Sequence, residues 1–458
     1  MSVVRQRATL AVLFVGVLLA ALDIAVVGPA LPAIRSAFGV DARWLPAVFS
    51  VYVLFYVIST PLLAQRSDRH GRRRVFLESL ALFGVGSLVA AAAPSLPVLL
   101  LGRAIQAFGA GGLLPVAAAV IAETVPIKRR GRTLGLVGAV FGVAFLLGPL
   151  LGGLLLRSSW RWLFLVNVPV VVALMAVGAR VLPQIASAST RRFDVSGAVL
   201  LAVVLGALVA GIGQIDTNAL AASFQSPRVW PCFALIAIGV PLLWAIERRA
   251  ADPLFPPALL RSPQLQVVGA IAIAVGGVEA GMVFLPDIAV LNFGIDAATA
   301  SLTMLPLVLT LCIGAPLAGW LLDHIGPRTV VQIGLTFTVG GLLLFALLPL
   351  DWGNFYFSGV LVGFGMSALL GAPLRYIVLQ EAGEGRRGIG QGLLTLCVSI
   401  DQLVGAAVIG GLVGSAQDAL PGYRQSLLTV AVACGLALVL SVALRGRVLS
   451  RRESTGEA

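Results

Sequence analysis

Along this chain apolar residues fall in long unbroken runs, and polar residues gather in short breaks between them. Wound as helices at about 1.5 Å per residue, runs of about 20 cross roughly 30 Å of hydrocarbon. A membrane barrel would need apolar and polar positions to alternate, and these runs are continuous. They predict fourteen spans, at 10–34, 45–63, 75–92, 98–120, 134–156, 162–182, 195–215, 229–246, 267–286, 300–322, 329–350, 355–380, 389–413 and 427–444. The fold class this implies is an all-α polytopic membrane protein.

One break stands out and returns. Between the second and third runs the chain reads Arg66-Ser67-Asp68-Arg69-His70-Gly71-Arg72-Arg73-Arg74. In the second half it reads Asp323-His324-Ile325-Gly326-Pro327-Arg328. Each has an Asp, a Gly three positions on and an Arg two further. Each glycine supplies the backbone freedom that a tight reversal needs. A repeat of this kind points to two related halves.

Composition agrees with the pattern. The 458 residues are 59% hydrophobic and 11% charged, with mean hydropathy +1.01. A formal charge of +12 raises the question of a nucleic-acid partner. If the N-terminus is cytoplasmic, inward loops and tails hold 23 of the 32 Arg and Lys and outward loops hold six. Arg103, Arg375 and, at the inward end of span six, Arg180 lie within spans. That asymmetry is the positive-inside rule, so the basic charge orients the protein and no nucleic-acid partner is expected. Arg5 and Arg7 precede the first run as in a signal peptide, but Asp23 and the later spans make it a retained helix. The cysteines stand singly, at 232, 312, 397 and 434, and the two histidines are His70 and His324. No metal site is expected from them. No activated nucleophile or Walker motif is present, which disfavours an enzyme or an ATP-driven pump. A passive channel would not need an acid and an arginine arranged as a proton switch.

Ionisable residues inside the runs are the candidate chemistry, because a charge in hydrocarbon is costly. Asp23 lies about 20 Å in from the N-terminal end of span one, and Arg103 about 8 Å from the start of span four. If their helices are neighbours, the arginine would hold the acid ionised and protonation would release it. Otherwise Asp23 makes a fixed hydrogen bond and Arg103 snorkels to the interface. Glu279 and Asp401 each sit about 18 Å from the inner ends of their spans, near the midplane where transporter sites lie. They read as a substrate-cation or second proton site, with Gln106 grouped beside them, or as acids paired with a polar neighbour. Glu123 closes span four near the first basic loop, where it would either join Asp68 in a charge cluster or remain solvated.

Four stretches together resemble the major facilitator superfamily, in its fourteen-span drug/proton antiporter branch. Asp68 to Arg74 resembles the loop signature after span two, and Gly102-Arg103 with Gln106 the span-four motif. Gly148-Pro149 with Gly152-Gly153 resembles the antiporter motif of span five. Leu22-Asp23, Val26-Val27 and Ala30-Leu31-Pro32 resemble the span-one motif. The first loop departs from the pattern with Ala64 in place of glycine and Arg66 in place of an apolar residue.

The resemblance implies two six-helix bundles, 1–182 and 264–445, with two extra helices in 195–246 and a cytoplasmic tail at 446–458. It implies rocking alternating access without any cofactor, and protons as the coupling ion. Asp23 and Arg103 would serve proton coupling. Asp68, Arg69, Gly71, Arg72 and Glu123, with Asp323, Gly326 and Arg328, would form the cytoplasmic gate. Gly148, Pro149, Gly152 and Gly153 would form a hinge. The expected protein is a monomeric exporter of amphipathic or cationic organic compounds in a bacterial inner membrane, surrounded by lipids. Export of lipids or lipid conjugates is the alternative.

Overall fold

A computed structural model describes residues 3–126, 140, 143–144, 146–184, 195–216, 218–249, 261–382 and 387–445. The basic stretch 128–132, the start of span five and the tail at 446–458 lie outside the described residues. The described chain is helical throughout. The first half holds α1 (Val3–Phe38), α2 (Leu45–His70), α3 (Arg72–Ala92), α4 (Leu96–Thr124), α5 (Leu146–Leu155), α6 (Trp162–Leu165) and α7 (Asn167–Val181). Then come α8 (Val195–Ile212), α9 (Leu220–Gln225) and α10 (Trp230–Glu247). The second half holds α11 (Pro263–Val283), α12 (Leu285–Phe293), α13 (Ala297–Leu302), α14 (Leu305–Ile325), α15 (Pro327–Leu347), α16 (Trp352–Leu370), α17 (Ala372–Ala382), α18 (Arg387–Ser415) and α19 (Ala419–Leu440).

Twelve helical stretches among the described residues are long and apolar enough to cross a membrane. The fifth and seventh predicted spans coincide with two shorter apolar helices, Leu146–Leu155 and Val199–Ile212. Breaks fall where local chemistry demands them. Gly71 separates α2 from α3 at φ 90°, and Gly326 separates α14 from α15 at φ 82°. With ψ of 140° and 163°, both occupy a region that side chains other than hydrogen scarcely enter. Asp296 caps α13 by accepting from the Ala298 and Thr299 amides, and Asp351 caps α16 through Asn354 N.

Two compact units make up the chain. The first comprises Met1–Leu254, Glu279–Leu305 and Gln402–Ser426, and the second Phe255–Val278, Pro306–Asp401 and Leu427–Ala458. In the first, buried Leu13, Phe76, Leu80, Phe83, Leu113 and Val171 knit α1, α3, α4 and α7 into one core. Helix α8 packs between α2 and α10. The outer face of α10 leaves Ile238 and Leu242 bare. In water such a face would be an aggregation hazard, whereas in lipid it costs nothing. In the second unit Ala318, Leu322, Val330 and Ala368 form a smaller cluster.

Candidate functional site

The first unit buries a polar network around Asp23. Helices α3 and α4 come close enough to build it because glycines line their contact. A methyl group on Gly102 would lie 2.6 Å from the Ala90 amide nitrogen, and one on Gly86 would strike the Gln106 backbone. This approach carries Arg103 and Gln106 to the face of α1 that bears Asp23.

Arg103 Nη1 donates to Asp23 Oδ2 at 2.5 Å and to Gln106 Oε1 at 2.8 Å. Gln106 Nε2 donates to Asp23 Oδ1 at 2.7 Å and to Ser87 Oγ at 2.8 Å. Asn167 Nδ2 reaches the same two acceptors at 3.5 and 3.4 Å. The guanidinium lies over the Tyr52 ring, 4.1 Å from its centroid, with Phe164 at 5.7 Å. Asp23, Arg103 and Gln106 are shut off from solvent. Both carboxylate oxygens are occupied, while Arg103 Nε and Nη2 have no partner among the described residues. Removing either partner of such a buried pair costs about 3–5 kcal/mol, because the other charge is left uncompensated.

Of the residues singled out from sequence, Asp23, Arg103 and Gln106 are thus brought together. Gln106 belongs to this network. Ser87, Asn167 and Tyr52 complete it and were not singled out. Ser87 and Asn167 did leave a trace, as polar residues inside or at the edge of apolar runs. Tyr52 left none.

A second cluster closes the junction of α2, α3 and α4. Arg72 is buried and pairs with Asp68 four residues before it. Its Nε and Nη2 donate to Glu123 Oε1 at 3.1 and 3.0 Å, and its Nη1 to Ser67 Oγ at 2.6 Å. Glu78 gathers Arg66 and Arg74, each at 2.9 Å. The Arg66 that departs from the signature thus has an acid partner of its own in Glu78. Arg69 is exposed.

Gly148 and Gly152 of the antiporter motif face α1. Methyl groups on them would lie 2.7 Å from Ala25 Cβ and 2.9 Å from Pro29 Cβ. Gly153 faces Leu302, and the Pro149 carbonyl accepts from Ser301 Oγ at 2.8 Å. The other embedded acids lie elsewhere. Glu279 accepts from Gln402 Nε2 at 2.5 Å in the first unit. Asp401 lies against Gly277 in the second unit. Within that unit, one turn of α18 before Asp401, Cys397 lines an apolar cavity of about 280 Å³ with Leu265, Val268, Ile273 and Leu394. Asp323 is exposed and Arg328 half-buried, and neither makes an ion pair among the described residues. No cluster of three or more potential metal ligands occurs among the described residues.

The family model of the Major Facilitator Superfamily matches residues 13–192 and 267–458. The chain belongs to this superfamily. As a superfamily member it is a multi-pass membrane transporter. It is 34% identical to the MFS-type transporter YfiU of Bacillus subtilis over 431 residues, covering 93% of this chain and 83% of YfiU. It shares 32% identity with the triacylglyceride transporter of Mycobacteroides abscessus, over 86% of this chain and 80% of that one. With the multidrug resistance protein Stp of Mycobacterium tuberculosis it shares 28%, over 90% and 76%. The crystal structure of a D-xylose-proton symporter matches its fold with TM-score 0.70 at 15% identity, covering 96% of this chain and 99% of the symporter.

Proposed function

We propose that this transporter is a proton-coupled exporter of amphipathic or cationic organic compounds, working by alternating access. The observation that carries the reading is the closed Asp23–Arg103–Gln106 network. A proton arriving at Asp23 cancels the one charge that Arg103 pairs with among the described residues. The guanidinium then has no counter-ion in a dry site, and the Gln106 amide faces a carboxyl that has become a donor. The network must rearrange, and α1, α3 and α4 move with it. A proton thereby biases a two-state element, which is what coupling requires.

The substrate side of the proposal rests on Glu279 and Asp401, both only partly enclosed, and on the apolar cavity near Asp401. An acid beside an apolar surface suits a lipophilic cation. The same cavity, together with kinship to a protein named for triacylglyceride transport, favours lipid export as the second reading. The proposal keeps fourteen spans, adding α5 and α8 to the twelve long ones, with both termini cytoplasmic in a bacterial inner membrane. In it, residues 195–246 form an extra pair between bundles at 1–182 and 264–445. A monomer carries out the whole cycle, with protons and no further cofactor.

Proteoliposomes with an imposed pH gradient test this, with ethidium and a labelled lipid followed in parallel. Gradient-driven ethidium movement that falls at least about tenfold in Asp23→Asn is the expected result. If Asp23→Asn transports as well as the parent, the coupling role fails. If Glu279→Gln and Asp401→Asn leave every compound unaffected, the second-half substrate site fails. Movement of labelled lipid alone would replace the first reading with the second.

A further inference from the structure

Asp287 is fully buried and takes no part in the network around Asp23. It sits in the first turn of α12, with Arg35 near the end of α1 and Tyr423 in α19, all in the first unit. Arg35 Nη1 donates to Asp287 Oδ2 at 2.9 Å, and Tyr423 Oη donates to the same oxygen at 2.8 Å. Asp287 Oδ1 is buried without a partner among the described residues. The Tyr423 ring stacks on Phe284 with centroids 6.0 Å apart. Arg424 and Asp41 are the neighbouring charges: Arg424 follows Tyr423 in α19, and Asp41 acts on Tyr423 electrostatically.

Two further contacts close the same surface. Ser301 Oγ bonds the Pro149 carbonyl at 2.8 Å, joining α13 to α5. A methyl group on Gly28 would lie 2.7 Å from the Val283 carbonyl oxygen, so the backbone of α1 presses on the join of α11 and α12. Arg35 lies twelve residues beyond Asp23, about 18 Å along α1 and toward the end remote from its N-terminus. Segments from the second half of the sequence are thus tied to α1 and α5 at one end of the fold.

A contact that must open each cycle cannot be much more stable than its hydrated parts. Apolar surface would resist reopening, whereas a buried ion pair roughly breaks even against hydration of its two charges. Both Asp287 and Arg35 are well solvated once parted, so the pair is suited to being made and broken repeatedly. The orphaned Oδ1 keeps the closed state from being held too tightly.

We propose that Arg35, Asp287 and Tyr423 form a latch that closes the transport pathway at the end remote from the Arg72 cluster, and that every cycle breaks and remakes it. The proposal rests on the alternating-access reading, and it places the latch on the outer face if the termini are cytoplasmic. The test reads accessibility and needs no substrate. In a protein with Cys232, Cys312, Cys397 and Cys434 replaced, Ser301→Cys reports opening through alkylation by a membrane-impermeant maleimide. Labelling is followed in right-side-out and inside-out vesicles.

The parent should label slowly, and Asp287→Asn and Arg35→Gln should each label about tenfold faster from the outer side. Tyr423→Phe should lie between them, and the exchange Arg35→Asp with Asp287→Arg should restore slow labelling. Unchanged labelling in the single variants overturns the latch, as does fast labelling that the charge exchange does not slow. Labelling faster only in inside-out vesicles overturns its outer placement. If Asp287→Asn does not fold, Tyr423→Phe and the charge exchange still decide. Failure of proton-driven export with charge-dependent labelling intact would count against the exporter reading and leave the latch standing.

Discussion

Gly71 and Gly326 turn the chain in the same way. Each amide donates to a carbonyl four residues back, Ser67 O at 3.1 Å and Leu322 O at 3.2 Å. Each carbonyl accepts at 3.3 Å from the amide four residues on, Val75 and Val330. Around these matching backbones the charges behave differently. In the first loop Arg72 draws in Asp68, Glu123 and Ser67. In the second loop the same position is Pro327, which has a fixed φ and nothing to donate. The acid at the end of α17, Glu381, bonds Ser262 at 3.1 Å and Arg445 at 3.3 Å. The spacing of Asp, Gly and Arg therefore marks a turn. Whether a charge cluster forms on that turn depends on the residue after the glycine, and the two loops differ there.

The comparison breaks most visibly at Arg72. Arg72→Ala leaves Asp68 and Glu123 facing one another without their cation. Both acids are partly exposed, so the cost is moderated to about 1–3 kcal/mol. Thermal unfolding in detergent should show this loss, whereas Arg328→Ala should stay within about 0.5 kcal/mol. Equal losses would mean that the second loop has an ionic cluster after all.

The shared part of the comparison is tested by Gly71→Ala and Gly326→Ala. Each forces a side chain into the same disfavoured region and should cost about 1–3 kcal/mol. The two losses should match, because backbone sterics rather than charge set them. A much smaller loss at Gly326 would show that the two turns are not equivalent.

The smallest effect sharpens the comparison from the other side. Pro327→Arg sets an arginine four residues after Asp323, as Arg72 stands to Asp68. An exposed pair of this kind adds about 0.3–0.5 kcal/mol. No gain in unfolding temperature would mean that the acid at the end of α4, rather than the one within the loop, holds the first cluster together.

The amino-acid sequence by itself determined that the chain is a series of membrane-spanning helices, because about 20 successive apolar residues have no comparably cheap alternative. It determined the two turns, since a positive φ at Gly71 and Gly326 is a local steric matter. It also revealed the embedded acids, which stand out against their apolar surroundings. Tertiary structure alone decided what those acids touch. Asp23 meets an arginine 80 positions away, and Asp287 one 252 positions away.

Helices that are apolar nearly all round carry no stripe showing which face meets a neighbour, so the partner of a lone acid is not legible along the chain. Asp287 was hidden for a second reason. It falls one residue past the predicted end of its span, where a carboxylate needs no explanation. Only the packing of α1, α12 and α19 around it turns an ordinary edge residue into a buried charge that must be paired.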